Sequence, residues 1–103
     1  MIYRKAGIEA TEEEGQPIIR IHGRFDFLLN ADFRDAYRRF PPDSRFVPDM
    51  ADVETINSSA LGMLLLLREH AGDESARITL RGLGEDVRRV LELSNFDRLF
   101  SLG

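Results

Sequence analysis

Two kinds of apolar spacing alternate along this chain, and their alternation constrains the fold more than any other feature. A period of two residues is typical of a half-buried strand, and a period between three and four residues is typical of an amphipathic helix. The first kind occurs in residues 18–23, where isoleucines alternate with Arg20 and His22. The second kind follows as a stripe with the spacing i, i+3, i+4 and i+7: Phe33, Ala36, Tyr37 and Phe40. Strands and helices in alternation predict an α/β sheet with helices packed on it.

The same patterns predict the order strand, strand, helix, strand, helix, strand, helix. The predicted strands are residues 2–13, 18–23, 45–50 and 76–81, and Pro48 removes one N–H donor from the third of them. The first helix is predicted to be capped by Asn30 and to stop before Pro41. Residues 60–71 are predicted to form a second helix, deeply buried because it is apolar nearly all round, and Gly72 suits its C-terminal end.

The third helix is predicted to be opened by Glu85 and Asp86 and to end at Asn95. A short terminal element is expected to dock on the core through three apolar residues: Phe96, Leu99 and Phe100.

Composition limits the function classes that fit the chain. Its 103 residues suit one domain over positions 1–103, with 43% hydrophobic and 31% charged residues. A net charge of −4 argues against a nucleic-acid or anionic-membrane surface, which needs clustered Lys and Arg. Cysteine is absent, which excludes disulfides, thiolate metal sites and cysteine nucleophiles. No signal peptide is predicted in residues 1–10, and the apolar run 60–67 is too short to span a bilayer, so we expect a cytoplasmic protein without membrane insertion.

Ser58 and Ser59 place two adjacent hydroxyl groups where a loop meets the second predicted helix. A helix N-terminus has free N–H groups and the positive end of the helix dipole, which suit an anion or a phosphorylated side chain. Simple capping of the helix by one of these serines is the alternative that spacing alone leaves open.

Four segments together carry a resemblance to a known family. They are Ile56-Asn57-Ser58-Ser59-Ala60-Leu61-Gly62, Gly23-Arg24-Phe25-Asp26, Asp49-Met50 and residues 90–96. The first resembles the Asp-Ser-Ser-Gly-Leu-Gly signature of STAS-domain anti-sigma-factor antagonists, and the second resembles the Gly-Glu-Leu-Asp turn after their second strand. The third matches the acidic residue that ends their third strand, and the fourth resembles their late helix and turn. Asn57 stands where the family usually has Asp, and Ala60 where Gly is common.

This resemblance implies a small STAS fold with four to five strands in a mostly parallel or mixed sheet and three to four helices mainly on one face. It implies a partner switch that is not an enzyme and has no cofactor. The unphosphorylated domain would bind an anti-sigma factor that is also a serine kinase, the kinase would phosphorylate Ser58 and end the complex, and a PP2C-type phosphatase would restore binding. The partner-binding residues implied are Asp26, Asn57, Ser58, Ser59 and Ala60.

Other functions remain open at this point. A STAS subunit that docks on a transporter ATPase, as in lipid transport, would keep the fold without a phosphoserine, and a small-ligand or nucleotide sensor would use the same loop. His22 and His70 lack the spacing of metal ligands. A hydrolase built from Ser58, His22 and Asp26 would lack the nucleophile motif Gly-x-Ser-x-Gly.

Overall fold

A mixed sheet forms the centre of the computed structural model, which describes residues 2–103. Its strands in chain order are β1 (Tyr3–Lys5), β2 (Ile8–Glu13), β3 (Gln16–Phe25), β4 (Val47–Ile56), β5 (Thr79–Leu80) and β6 (Ser101–Leu102). The pairs β1–β2 and β2–β3 are antiparallel, whereas β3–β4 and β5–β6 are parallel. The Arg81 N–H donates to the Pro48 carbonyl at 2.9 Å, and the Met50 N–H donates to the Arg81 carbonyl at 2.8 Å. These two bonds form a parallel bridge between β4 and the residue after β5, so the two-stranded sheet β5-β6 lies beside β4 of the four-stranded sheet β1-β2-β3-β4.

Three helices cover mainly one face of this sheet. They are α1 (Asn30–Tyr37), α2 (Ser58–His70) and α3 (Glu85–Leu93), and short 3-10 turns occur at Phe27–Leu29, Asp73–Ser75 and Phe96–Arg98. One core unites the apolar stripes of the helices with strand residues such as Ile19 and Ile21. The predicted α/β class is thereby confirmed. None of the helices within residues 2–103 combines the length and the apolar composition that crossing a membrane requires.

The strand boundaries differ from the sequence-based expectations in several places. Residues 2–13 form a hairpin instead of one strand, because the chain turns at Ala6, whose φ is +50°, and β2 folds back onto β1. The third predicted strand does not end at Met50: β4 continues to Ile56 because it stays paired with β3 up to Phe25. Pro48 lies inside it, and its carbonyl accepts a hydrogen bond from the N–H of Arg81, the residue after β5. The fourth predicted strand is shorter than expected, and β6, with only two residues, carries no periodic signal.

The second helix is only half buried, which corrects the expectation that it lies deep in the core. Its buried side chains include Met63, Leu64 and Leu67, whereas Leu65 is 42% exposed and Leu66 is 52% exposed. The reason is that α2 packs on the sheet with one face only, so leucines on its other side meet solvent.

The helix ends and the C-terminal segment follow the predictions more closely. Gly72, with φ at +107°, and Asn95, with φ at +60°, adopt the left-handed conformation that follows α2 and α3. Phe96 and Phe100 are buried as expected, while Leu99 is at the surface. Asn30 does not cap α1: it is the first helical residue, and the helix start has no side-chain capping bond.

Asp49 is the one buried acidic residue among those that the structure describes, and it ties three strands together. It is the third residue of β4 and therefore does not end that strand. Its carboxylate accepts hydrogen bonds from the Ala51 N–H at 3.0 Å, from Arg81 Nη2 at 2.9 Å and from Arg20 Nε at 3.4 Å. Burial on its own would raise the pKa of the Asp49 carboxyl, but the Ala51 N–H and the guanidinium groups of Arg81 and Arg20 outweigh it and hold the pKa below its ordinary value. A side chain at position 82 would meet this carboxylate at 2.9 Å, which explains Gly82.

Because one face of α2 is buried and the other is exposed, truncating two neighbouring leucines should lower the free energy of unfolding by different amounts. Leu64→Ala removes a fully buried side chain and should lower the free energy of unfolding by about 2–5 kcal/mol. Leu65→Ala removes a side chain that is already 42% exposed and should cost clearly less, on the order of 1 kcal/mol. Urea unfolding of both variants beside the unmodified domain measures the difference. Equal losses would contradict this packing of α2.

Candidate functional site

The candidate site lies at the carboxyl edge of the parallel strands, where β3 and β4 end side by side. The last residues of the two strands, Phe25 and Ile56, are register partners. Asp26 follows β3 directly and Asn57 follows β4 directly. The two segments that the sequence resemblance singled out are therefore brought to the same edge of the sheet, and α2 starts there with Ser58.

Asn57 is the N-cap of α2, which corrects the prediction that Ser58 or Ser59 caps it. Its side-chain oxygen accepts hydrogen bonds from the Ser59 N–H at 3.1 Å and from the Ala60 N–H at 3.2 Å. The Ser59 hydroxyl donates to the same oxygen at 2.6 Å. An Asp carboxylate would accept the same bonds, so Asn57 preserves the cap geometry and removes only the charge.

Ser58 differs from its neighbour in having an uncommitted hydroxyl. Its residue is exposed, and its hydroxyl makes no hydrogen bond to any other part of residues 2–103. Ser59 is half buried, and its hydroxyl is held by Asn57. The hydroxyl that can be reached by an incoming group is therefore that of Ser58.

The Asn57 cap also limits how the start of α2 can bind an anion. The N–H groups of Ser59 and Ala60 are already bonded to the Asn57 side chain, and the Leu61 N–H donates to the Asn57 carbonyl at 3.3 Å. The Ser59 and Ala60 donors, which an open helix N-terminus would offer to a phosphate, are thus occupied. A charged group on Ser58 would face solvent and not a binding pocket of its own domain.

Asp26 shapes the adjoining turn. Its carboxylate accepts from the Leu28 N–H at 2.9 Å, and its carbonyl accepts from the Leu29 N–H at 3.1 Å. These bonds fix the 3-10 turn Phe27–Leu29, which contacts α2. Asp26 therefore acts here as the cap of this turn.

The turn displays two large apolar side chains that sequence reasoning missed. Phe27 is 66% exposed and Leu28 is 88% exposed. Their signal in the sequence was the position of an apolar pair directly after Asp26 and outside the helical stripe that begins at Phe33. Exposed apolar side chains held by a fixed backbone are typical of protein-binding surfaces.

Ala60 does not belong to this surface, although the resemblance implied a partner contact there. Its residue is 0% exposed, because the side chain points from the first turn of α2 into the core. It is available to a partner only through a rearrangement of α2.

The histidines that suggested a metal site or a hydrolase have other neighbours in the structure. His22 lies within the sheet, with Nδ1 3.1 Å from an Asp52 carboxylate oxygen and Nε2 3.7 Å from a Glu9 carboxylate oxygen, and these carboxylates, not that of Asp26, lie within 4.0 Å of its ring nitrogens among the described residues. His70 packs against the Tyr37 ring, with 5.0 Å between the ring centroids. Across residues 2–103, no group of three or more acidic or histidine side chains is placed to hold a metal ion.

A family model and a relative both match most of the chain. The family model described as "Mlab, STAS domain" matches residues 8–102. A STAS-domain containing protein of Pseudomonas aeruginosa is 50% identical over 91 residues, which cover 86% of this chain and 90% of that protein.

Solved structures show the same fold. An anti-sigma-factor antagonist (STAS) domain protein from Planctomyces limnophilus has a TM-score of 0.79 at 18% identity, covering 94% of this chain and 89% of that one. An anti-sigma factor antagonist from Mycobacterium paratuberculosis has a TM-score of 0.74 at 24% identity, covering 92% of this chain and 82% of that one. With a family model that matches residues 8–102 and a relative that is 50% identical over 86% of the sequence, the chain belongs to the STAS-domain family.

Proposed function

We propose that this domain is an anti-sigma-factor antagonist, a cytoplasmic binding protein and not an enzyme, whose complex with an anti-sigma factor is ended by phosphorylation of Ser58. The observation that carries the proposal is the exposed, unbonded Ser58 hydroxyl beside an exposed apolar turn. The partner would be an anti-sigma factor that is also a serine kinase. A PP2C-type phosphatase would return the domain to its binding form.

Phosphorylation at Ser58 would change binding without unfolding the domain. It adds roughly −1.5 to −2 charges and three acceptor oxygens to one point on the surface. The capping of α2 by Asn57 does not use the Ser58 side chain, so the helix keeps its start. Because the Ser59 and Ala60 N–H groups are occupied by Asn57, these two donors would not neutralise the new charge. A partner surface shaped for a neutral hydroxyl would have to desolvate that charge.

The binding surface that follows from the geometry consists of Ser58, Asn57 and the turn that Asp26 caps. Phe27 and Leu28 would supply the apolar anchors, since interfaces usually obtain most of their binding free energy from a few large side chains. Asn57 and Ser59 would act mainly by holding the start of α2, and Asp26 by holding the turn.

A second candidate function is favoured by one observation. The family model that matches residues 8–102 is described as "Mlab, STAS domain", without reference to an anti-sigma factor, which fits the other STAS function that the sequence left open, a subunit that docks on a transporter ATPase. Such a subunit would use an exposed surface of the same fold, but its binding would not depend on a phosphate at Ser58. The two candidate functions therefore predict different effects of substitutions at Ser58.

The phosphate switch predicts a specific order of affinities. Ser58→Ala should bind the anti-sigma factor kinase as tightly as the unphosphorylated domain. Ser58→Glu should bind about a hundredfold more weakly, which corresponds to a loss of about 2.7 kcal/mol in binding free energy. Both should melt within a few degrees of the unmodified domain, because the Ser58 hydroxyl makes no bond within residues 2–103. Isothermal titration against the anti-sigma factor kinases of the source organism measures the affinities.

Ser59→Ala is the matched control for this series. It removes a hydroxyl that faces the cap and should leave regulation intact. Equal affinities for Ser58→Ala and Ser58→Glu would contradict the switch and favour the transporter candidate.

The apolar turn gives an independent prediction. Phe27→Ser and Leu28→Ser should each weaken partner binding at least about tenfold, as expected for anchor residues. Since both side chains are largely exposed, the free energy of unfolding should change by only about 0.5 kcal/mol. Leu93→Ser is the control, because Leu93 is 77% exposed at the far end of α3. Loss of affinity in this control variant to the same extent would show that general surface hydrophobicity, and not this turn, drives binding.

A further inference from the structure

A cavity of about 400 Å³ lies at the opposite edge of the sheet from Ser58, at the amino ends of the parallel strands. Three arginines line it: Arg45, Arg77 and Arg98. The first two stand two residues before β4 and β5, and the third stands three residues before β6. One arginine thus precedes each of three neighbouring strands.

Backbone pairing explains why these side chains converge. The Thr79 N–H donates to the Phe46 carbonyl at 3.1 Å, which aligns the start of β5 with the start of β4. The Ser101 N–H donates to the Ile78 carbonyl at 3.0 Å, which aligns β6 with β5. Neighbouring strands lie about 4.8 Å apart. The three guanidinium groups therefore start from adjacent points around one opening.

The charge of this cavity is opposite to that of the whole chain. The chain carries a net charge of −4, but the lining has three arginines against a single acid, Asp97. All three arginines are exposed, and none forms an ion pair within the part of the chain that the structure describes. By contrast, Arg20, Arg68 and Arg81 are all paired with carboxylates. Three of the nine arginines without an ion pair among the described residues therefore lie around this one cavity.

We propose that this cavity binds a small soluble anion that carries two or more phosphate or carboxylate groups. The planar fork of a guanidinium group matches the paired oxygens of phosphate and carboxylate, and three such groups favour a multiply charged ligand over a single anion. The volume lies within the roughly 300–1,000 Å³ range of small-ligand sites. Gln16, Thr79 and Ser101 add side chains that can bond further ligand oxygens. The site is separate from the proposed partner surface and does not depend on the phosphorylation of Ser58.

Isothermal titration with inorganic pyrophosphate and, separately, citrate tests the proposal, with orthophosphate as the comparison that carries a single phosphate group. We expect one site per chain, with pyrophosphate or citrate bound at least about tenfold more tightly than orthophosphate, and the stronger of the two identifies the preferred ligand group. We expect the affinity for that ligand to fall about tenfold in each of three variants, Arg45→Gln, Arg77→Gln and Arg98→Gln, because each removes one charge-assisted contact with the ligand. Asp97→Asn should raise it, because it removes the one opposing charge, and a structural role for Asp97 would not have this effect.

Two control variants distinguish binding in this cavity from a general effect of surface charge and from the Ser58 switch. Arg89→Gln removes an exposed arginine of α3 outside the cavity and should leave the affinity unchanged. Ser58→Ala should also leave it unchanged, so failure of the proposed switch and failure of this site are distinguishable. Absence of binding by both polyanions, or equal losses in the Arg89 and cavity variants, would overturn the proposal.

Discussion

The parallel pairing of β3 with β4, continued to the last residue of each strand, is the constraint on which the candidate site depends. Because Phe25 and Ile56 are partners in this register, the chain leaves both strands at one edge of the sheet. The turn after β3 and the start of α2 are then neighbours, although about thirty residues separate them in sequence. The buried Asp49 carboxylate of β4 accepts hydrogen bonds from Arg20 of β3 and from Arg81, the residue after β5. It thereby links β4 to β3 on one side and to the end of β5 on the other.

At that edge, the polar side chains that look most like binding residues are occupied with local structure. Asp26 caps a turn and Asn57 caps a helix, and Ser59 is bonded to Asn57. The Ser58 hydroxyl and the exposed apolar pair that the Asp26 turn presents remain free for a partner. In the proposed switch, the apolar side chains would provide affinity, and the Ser58 oxygen would decide whether that affinity is available.

Much of the fold followed from the sequence, because periodicity reports which side of an element is buried. The α/β class and the stripe from Phe33 were predicted for this reason. The hairpin at residues 2–13 and the length of β4 were not, since Gly7 alone is a weak turn signal and strand length depends on pairing with distant residues. The leucine-rich start of α2 led to the wrong expectation of a deeply buried helix, because a helix that is apolar on all sides gives no sign of which face packs on the sheet. The site motif was found by resemblance, whereas its caps and the exposure of Phe27 and Leu28 required coordinates.

We propose that partner binding occurs at the carboxyl edge of the parallel strands and is governed by Ser58. Amide hydrogen exchange on the domain, free and mixed with an anti-sigma factor kinase, is the sharpest test because it maps the covered backbone. We expect slowed exchange in residues 24–30 and 57–62 in the complex, and loss of that protection when Ser58 is phosphorylated. Protection confined to the amino edge, or unchanged by the phosphate, would contradict it.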